Sequence, residues 1–147
     1  GNIYNKKTLQ SYNNNYNIIL SDLNTCLNNS DYVIVTCNLN KNTYHLINKN
    51  NLLKCKKGVK IINVARGSIV KEDDIIELLE TKHIDSIAFD VFEKEPLDKN
   101  SLLRKYPDNI FGSHNSSNTE EGVNKTSILV IEKIAEFFYK KNKQSKL

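Results

Sequence analysis

The sequence has 147 residues, enough for one domain with its own core. Its formal charge of +4, much of it in the tail Lys140 to Lys146, points away from nucleic acid, because no basic stripe is interleaved with stacking aromatics. No apolar run approaches the ~20 residues of a membrane span. The three cysteines contain no CxxC pair, which argues against a zinc site or a disulfide framework, and they read as free thiols of a cytoplasmic protein.

In chain order, Asn17-Ile18-Ile19-Leu20 reads as a short strand, and Ser21-Asp22 can cap a helix to about Asn29. Asp31 to Cys37 is a β-branched run of the kind buried on both faces of a sheet. Asn48 caps a short helix to about Cys55, and Lys57-Gly58 makes a turn. Lys60 to Ala65 is the next strand, followed by the loop Arg66-Gly67-Ser68. Lys71 to about Lys82 reads as a helix with Ile75, Ile76, Leu78 and Leu79 on one face. Ile84 to Phe92 is another strand, which Glu95-Pro96 ends. Asn109 to Ser113 is a last short strand before His114. Asn118-Thr119-Glu120-Glu121 opens a long helix whose stripe of Ile128, Leu129, Ile131, Ile134, Ala135 and Phe138 should pack against another surface. The only boundary signal lies near Asn115 to Thr119, dividing 1–117 from 118–147.

Strands alternating with helices imply an α/β protein with a parallel, doubly wound sheet. Ligands bind such sheets beyond the carboxyl ends of the strands. Cys37-Asn38, Ala65-Arg66-Gly67, Asp90 to Glu95, and His114 all fall at such ends. Arg66 has the fork that holds a carboxylate, although a surface arginine at a strand end has the same local sequence. Glu95 and His114 can form an acid/base pair, in which the carboxylate orients the imidazole and favours its protonated form. Glu93 and Asp98 are alternative carboxylates, and pattern alone leaves the choice open. His45 and His83 read as structural or exposed. Asp90, inside an apolar strand, needs a donor from either a backbone amide or a ligand. No metal-ligand spacing occurs, and neither GxGxxG nor GxxxxGK[ST] is present, so no phosphate cradle lies in these residues.

Four ordered segments carry a resemblance. Ser30 to Val35 with Thr43 to Ile47, then Ile61-Ile62-Asn63-Val64-Ala65-Arg66-Gly67-Ser68-Ile69-Val70, are the first two. Ala88-Phe89-Asp90-Val91-Phe92-Glu93-Lys94-Glu95-Pro96, and Asn109 to His114 with Asn118 to Glu121, are the others. Together, from about Ser21 to Phe138, they resemble the D-isomer-specific 2-hydroxyacid dehydrogenases. The resemblance implies the C-terminal part of a Rossmann-type NAD-binding domain plus a long C-terminal helix, which with its basic tail returns toward a substrate domain. It also implies hydride transfer between NAD (NADP not excluded) and a D-2-hydroxyacid or 2-ketoacid. Candidate substrates include 3-phosphoglycerate, glyoxylate, hydroxypyruvate and lactate-type acids. Arg66 would bind the substrate carboxylate and carbonyl, His114 would exchange the proton, and Glu95, chosen by the resemblance over Glu93 and Asp98, would orient His114. Asp90 would accept from the nicotinamide carboxamide. Cys37, Asn38, Thr43, Val64 and Ala65 would line the dinucleotide, with Arg66, His114, Asn115, Ser116 and Ser117 beside it. The full-length protein would be a homodimer, and these residues alone would be inactive. A non-catalytic NAD-sensing protein, similar to the corepressor branch of the same fold, is the alternative.

The pattern departs from the resemblance in places. Asn38 stands where proline is common, and Ser113 where the family has TPH. His114-Asn115-Ser116-Ser117 replaces HxGG, and Asn2 falls where an acidic residue meets the adenosine ribose.

Overall fold

A computed structural model describes residues 18–144, with side chains through Tyr139. The readings placed on Asn2, Asn17 and Lys146 lie outside the described residues.

The first helix, α1 (Leu23–Asn29), begins where Asp22 accepts the Thr25 N–H at 3.0 Å, satisfying one of the donors a helix start leaves open. Strand β1 (Tyr32–Val35) follows, then α2 (Lys49–Leu52), whose cap Asn48 accepts from the Asn51 N–H. Strand β2 (Val59–Asn63) starts after Gly58, which takes φ +85°, a conformation a side chain would strain. A 3-10 turn (Gly67–Ile69) leads to α3 (Glu72–Glu80), with three acidic residues in its first turn to match the helix dipole. Strand β3 (Ile84–Phe89), a second 3-10 turn (Leu102–Lys105), β4 (Ile110–Phe111) and the long α4 (Glu120–Gln144) complete the order.

The strands form one parallel four-stranded sheet in the order β1-β2-β3-β4. Val35 pairs with Asn63, Asn63 with Phe89, and Phe89 with Phe111, so the four carboxyl ends lie along one edge. Asn109 pins the short β4: its Oδ1 accepts the Ile87 N–H and its Nδ2 donates to the Leu103 carbonyl, both at 3.0 Å. Crossovers of one hand in one direction put their helices on the same face of a sheet. Val33, Val35, Val59, Ile61, Ile84, Ile87 and Phe89 are accordingly buried in one core with Leu27 of α1, Leu52 of α2 and Ile75, Leu78 and Leu79 of α3. Each such aliphatic side chain contributes roughly 1.5–3 kcal/mol of burial.

Three expectations require correction. Ile18 to Leu20 form no strand: Ile19 is 85% exposed, and these residues have no ladder partner among the described residues. Strand β1 is buried on one face only, with Tyr32 and Ile34 each 59% exposed, because no described element covers the face opposite the helices. Strand β3 ends at Phe89, so Asp90 is the first residue beyond the ladder rather than a residue within it. The α4 stripe residues Ile128, Leu129, Ile131, Ile134 and Phe138 are exposed, with no described element packed over them, as fits a stripe expected to face a surface beyond these residues.

Candidate active site

The edge formed by the four strand ends carries four loops. Asn63 closes β2 and is fully buried; its Oδ1 accepts the Ala65 N–H and its Nδ2 donates to the Arg66 carbonyl, both at 3.1 Å. Gly67 then packs so closely on the next loop that a Cβ there would lie 1.9 Å from the Phe92 carbonyl. Between these constraints Arg66 is exposed, and its Nη1 donates back to the Ala65 carbonyl at 2.6 Å.

Asp90 links three loops. Its N–H donates to the Asn63 carbonyl at 3.0 Å, and its own carbonyl accepts the His114 N–H at 2.7 Å. The carboxylate accepts the N–H groups of Asn115 at 3.0 Å and Ser116 at 2.9 Å. Desolvation pushes this carboxyl up, but the Ser116 and Asn115 amides, helped by His114, outweigh it and hold it below the usual range. Gly112 makes the approach possible: a Cβ there would sit 2.1 Å from Asp90 Oδ1.

Glu95 faces His114, with Oε2 2.7 Å from Nδ1, while Oε1 accepts the Phe92 N–H at 3.0 Å. The His114 hydrogen bond first, then the Phe92 amide, hold the Glu95 carboxyl below its ordinary value, and the charge of Arg66 acts in the same direction. His114 itself has φ +58°, a left-handed conformation that a non-glycine residue holds only when its surroundings fix it. Its N–H bond to Asp90 and its ring bond to Glu95 do so. Neither alternative carboxylate reaches His114. Glu93 accepts the Glu72 N–H and lies 2.9 Å from His45 Nε2, and Asp98 accepts the Asn100 N–H within its own loop. His83 bonds the Leu52 carbonyl.

Two clefts open on this edge. One, of about 470 Å³, is lined by Asp90, Phe92, Glu95, Arg104, Ser113 and His114. The other, of about 480 Å³, is lined by Thr36, Cys37, Asn38, Leu39, Ala65 and Arg66. Thr43 does not line the second cleft, but its hydroxyl donates to the Asn38 carbonyl at 2.7 Å and steadies that loop. Val64 is exposed and lines neither cleft. Ser117 lines neither cleft and borders a separate hollow at the start of α4. Sequence reasoning passed over Asn63, Gly112 and Arg104. Asn63 had a legible signal, an amide in the apolar run Ile61 to Ala65, where a buried polar group must have partners.

A family model described as D-isomer specific 2-hydroxyacid dehydrogenase, NAD binding domain, matches residues 2–116. The chain belongs to this family. The glyoxylate reductase of Thermofilum pendens is 41% identical over 105 residues, which are 71% of this chain and 31% of that protein. The glyoxylate/hydroxypyruvate reductase B of Serratia proteamaculans is 37% identical over 120 residues, 81% of this chain and 37% of its own length. A crystal structure of a D-isomer specific 2-hydroxyacid dehydrogenase from Xanthobacter autotrophicus Py2, in complex with NADPH and MES, superposes with a TM-score of 0.61 at 37% identity. That match covers 63% of this chain and 29% of the other. This dehydrogenase-family chain thus spans about a third of the length of the curated relatives it matches. No described helix is long and apolar enough to cross a membrane.

Proposed function

We propose that the protein carrying this chain is an NAD(P)-dependent D-2-hydroxyacid dehydrogenase, with Arg66, Glu95 and His114 as its substrate-binding and acid/base groups. The observation that carries the reading is the 2.7 Å Glu95–His114 pair at the same sheet edge as Arg66, with all three on loops that follow strands. Residues 1–117 are read as the C-terminal portion of the dinucleotide-binding domain, and 118–147 as a helix and basic tail returning toward a substrate domain.

The nicotinamide cofactor fits the donor set of the edge. Asp90 spends one acceptor site of each oxygen on a backbone amide, and a carboxylate has about four such sites, so it retains capacity for a carboxamide N–H. The Cys37-Asn38 loop, Thr43, Val64 and Ala65 would border the remainder, with Asn115 and Ser116 beside the nicotinamide. When bound, the cofactor donates a hydride to the substrate carbon or accepts one from it. Arg66 would hold the substrate carboxylate with its fork and stabilise charge growing on the carbonyl oxygen. Glu95 occupies Nδ1 of His114, which leaves Nε2 to give that oxygen its proton in reduction and to remove it in oxidation. Relatives named for glyoxylate and hydroxypyruvate favour a small 2-ketoacid as substrate. Phosphoglycerate is the further candidate.

The test is a titration of the full-length protein with NADH and NADPH, followed by a 2-ketoacid screen that reads cofactor oxidation. Turnover that falls at least ~100-fold in His114→Ala, a typical acid/base contribution, is the expected outcome. Cofactor binding without turnover of any 2-ketoacid would end the enzyme reading in favour of a non-catalytic NAD sensor.

A further inference from the structure

We infer that Asn63 is a positioning residue for Arg66, setting where the guanidinium stands for an incoming substrate carboxylate. The inference rests on the reading of Arg66 as the carboxylate-binding group. Three observations support it. An amide buried to 0% exposure within an apolar strand is costly unless both of its ends are bonded. Both ends are bonded here, and both bonds go to the Ala65-Arg66 dipeptide: the oxygen to the Ala65 N–H, the nitrogen to the Arg66 carbonyl. The side chain therefore brackets the backbone on either side of Arg66, which adopts an extended conformation with φ −147° and ψ 142°.

The opposite side of the loop is also closed. Gly67 abuts the Phe92 carbonyl with no room for a Cβ, and the Phe92 N–H is held by Glu95. The backbone of Arg66 thus lies between the Asn63 amide and the loop that carries Glu95. The main chain of Asn63 extends the coupling, because its carbonyl accepts the Asp90 N–H and the Asp90 carbonyl accepts the His114 N–H. One buried residue joins the carboxylate-binding group to the support of the proton donor. No other residue type offers both a donor and an acceptor here at the same size. Ionised aspartate lacks the donor, serine is too short to reach both partners, and leucine has neither group.

The experiment compares full-length parent with Asn63→Ser and Asn63→Asp. It measures glyoxylate KM and kcat, the dissociation constant of oxalate as an unreactive dicarboxylate, NADH affinity and melting temperature. Positioning predicts that both variants, when folded, weaken oxalate binding and raise glyoxylate KM by at least about tenfold, with NADH affinity held within about twofold. A merely structural role lowers the melting temperature and the active fraction but leaves KM and oxalate affinity unchanged, and that result overturns the inference. Should both variants fail to fold, hydrogen exchange in the parent decides. A strongly protected Ala65 amide before any ligand is added supports the bracket, and a freely exchanging one overturns it. The two readings fail separately. A parent that binds oxalate yet reduces no 2-ketoacid ends the dehydrogenase reading, while its variants' oxalate affinities still test Asn63. A parent with no affinity for oxalate overturns the carboxylate role of Arg66 and this inference with it.

Discussion

Arg66 is exposed as a residue, its backbone is constrained by Asn63, and its Nη1 bonds the Ala65 carbonyl. Replacing it with lysine keeps the charge but loses the planar pair of donors that matches a carboxylate. Arg66→Lys is expected to lower kcat/KM for the 2-ketoacid substrate at least about tenfold, about 1.4 kcal/mol of transition-state stabilisation. Steady-state kinetics on the full-length protein measure it, and near-parental kcat/KM would remove Arg66 from the site. Asp90 shows why residue type and local pattern were insufficient on their own. Its sequence context left a backbone donor and a ligand donor equally open. The chain answers with the Asn115 and Ser116 amides, which arrive from 25 and 26 residues away. The choice among Glu93, Glu95 and Asp98 was open on pattern for the same reason, since the partner that distinguishes them, His114, lies on another loop.

At the scale of elements, the short α2 depends on its cap more than a longer helix would, because four residues cannot offset the cost of helix nucleation. Asn48 closes it with Oδ1 on the Asn51 N–H and spends its Nδ2 on the His45 carbonyl at 2.8 Å. Asp74 of α3 adds a bond to the Lys49 N–H at 2.8 Å, and Lys49 pairs with Glu77. Asn48→Ala is expected to destabilise the protein by about 1 kcal/mol, and by more if the His45 bond also contributes. Urea unfolding followed by circular dichroism reads it, and a midpoint unchanged from the parent would mean that α2 is held by packing alone. Caps and turns such as Asp22, Asn48 and Gly58 were legible in the sequence because they act within three or four residues. The burial of β1 was not. Its run Tyr32-Val33-Ile34-Val35 has the composition of a strand covered twice, while no described element covers Tyr32 and Ile34.

For the molecule as a whole, the depressed carboxyls of the site connect its geometry to acid stability. Glu95 is held below its ordinary value of 4.5 in the folded chain, chiefly by His114. A carboxyl depressed on folding contributes stability that is fully present above its unfolded value and is lost as pH falls through the folded one. Glu95→Gln should therefore flatten the loss of stability below about pH 4.5, measured by urea unfolding from pH 6 to pH 3. Asp90, also depressed, would retain its share of the slope in that variant. Identical slopes in parent and variant would show that the Glu95–His114 contact carries no free energy in solution. The sequence by itself determined the alternation of strand and helix, the local caps and turns, and which loops hold chemical groups. These depend on periodicity and on neighbours a few residues apart. Local pattern left open which carboxylate meets His114, and the tertiary structure puts Glu95 there, as the resemblance implies; it also decided that backbone amides bind Asp90 and which sheet face the described helices cover. The Glu95–His114 and Asp90 contacts depend on strand order and register, which bring together residues 19 to 26 positions apart and which no local pattern encodes.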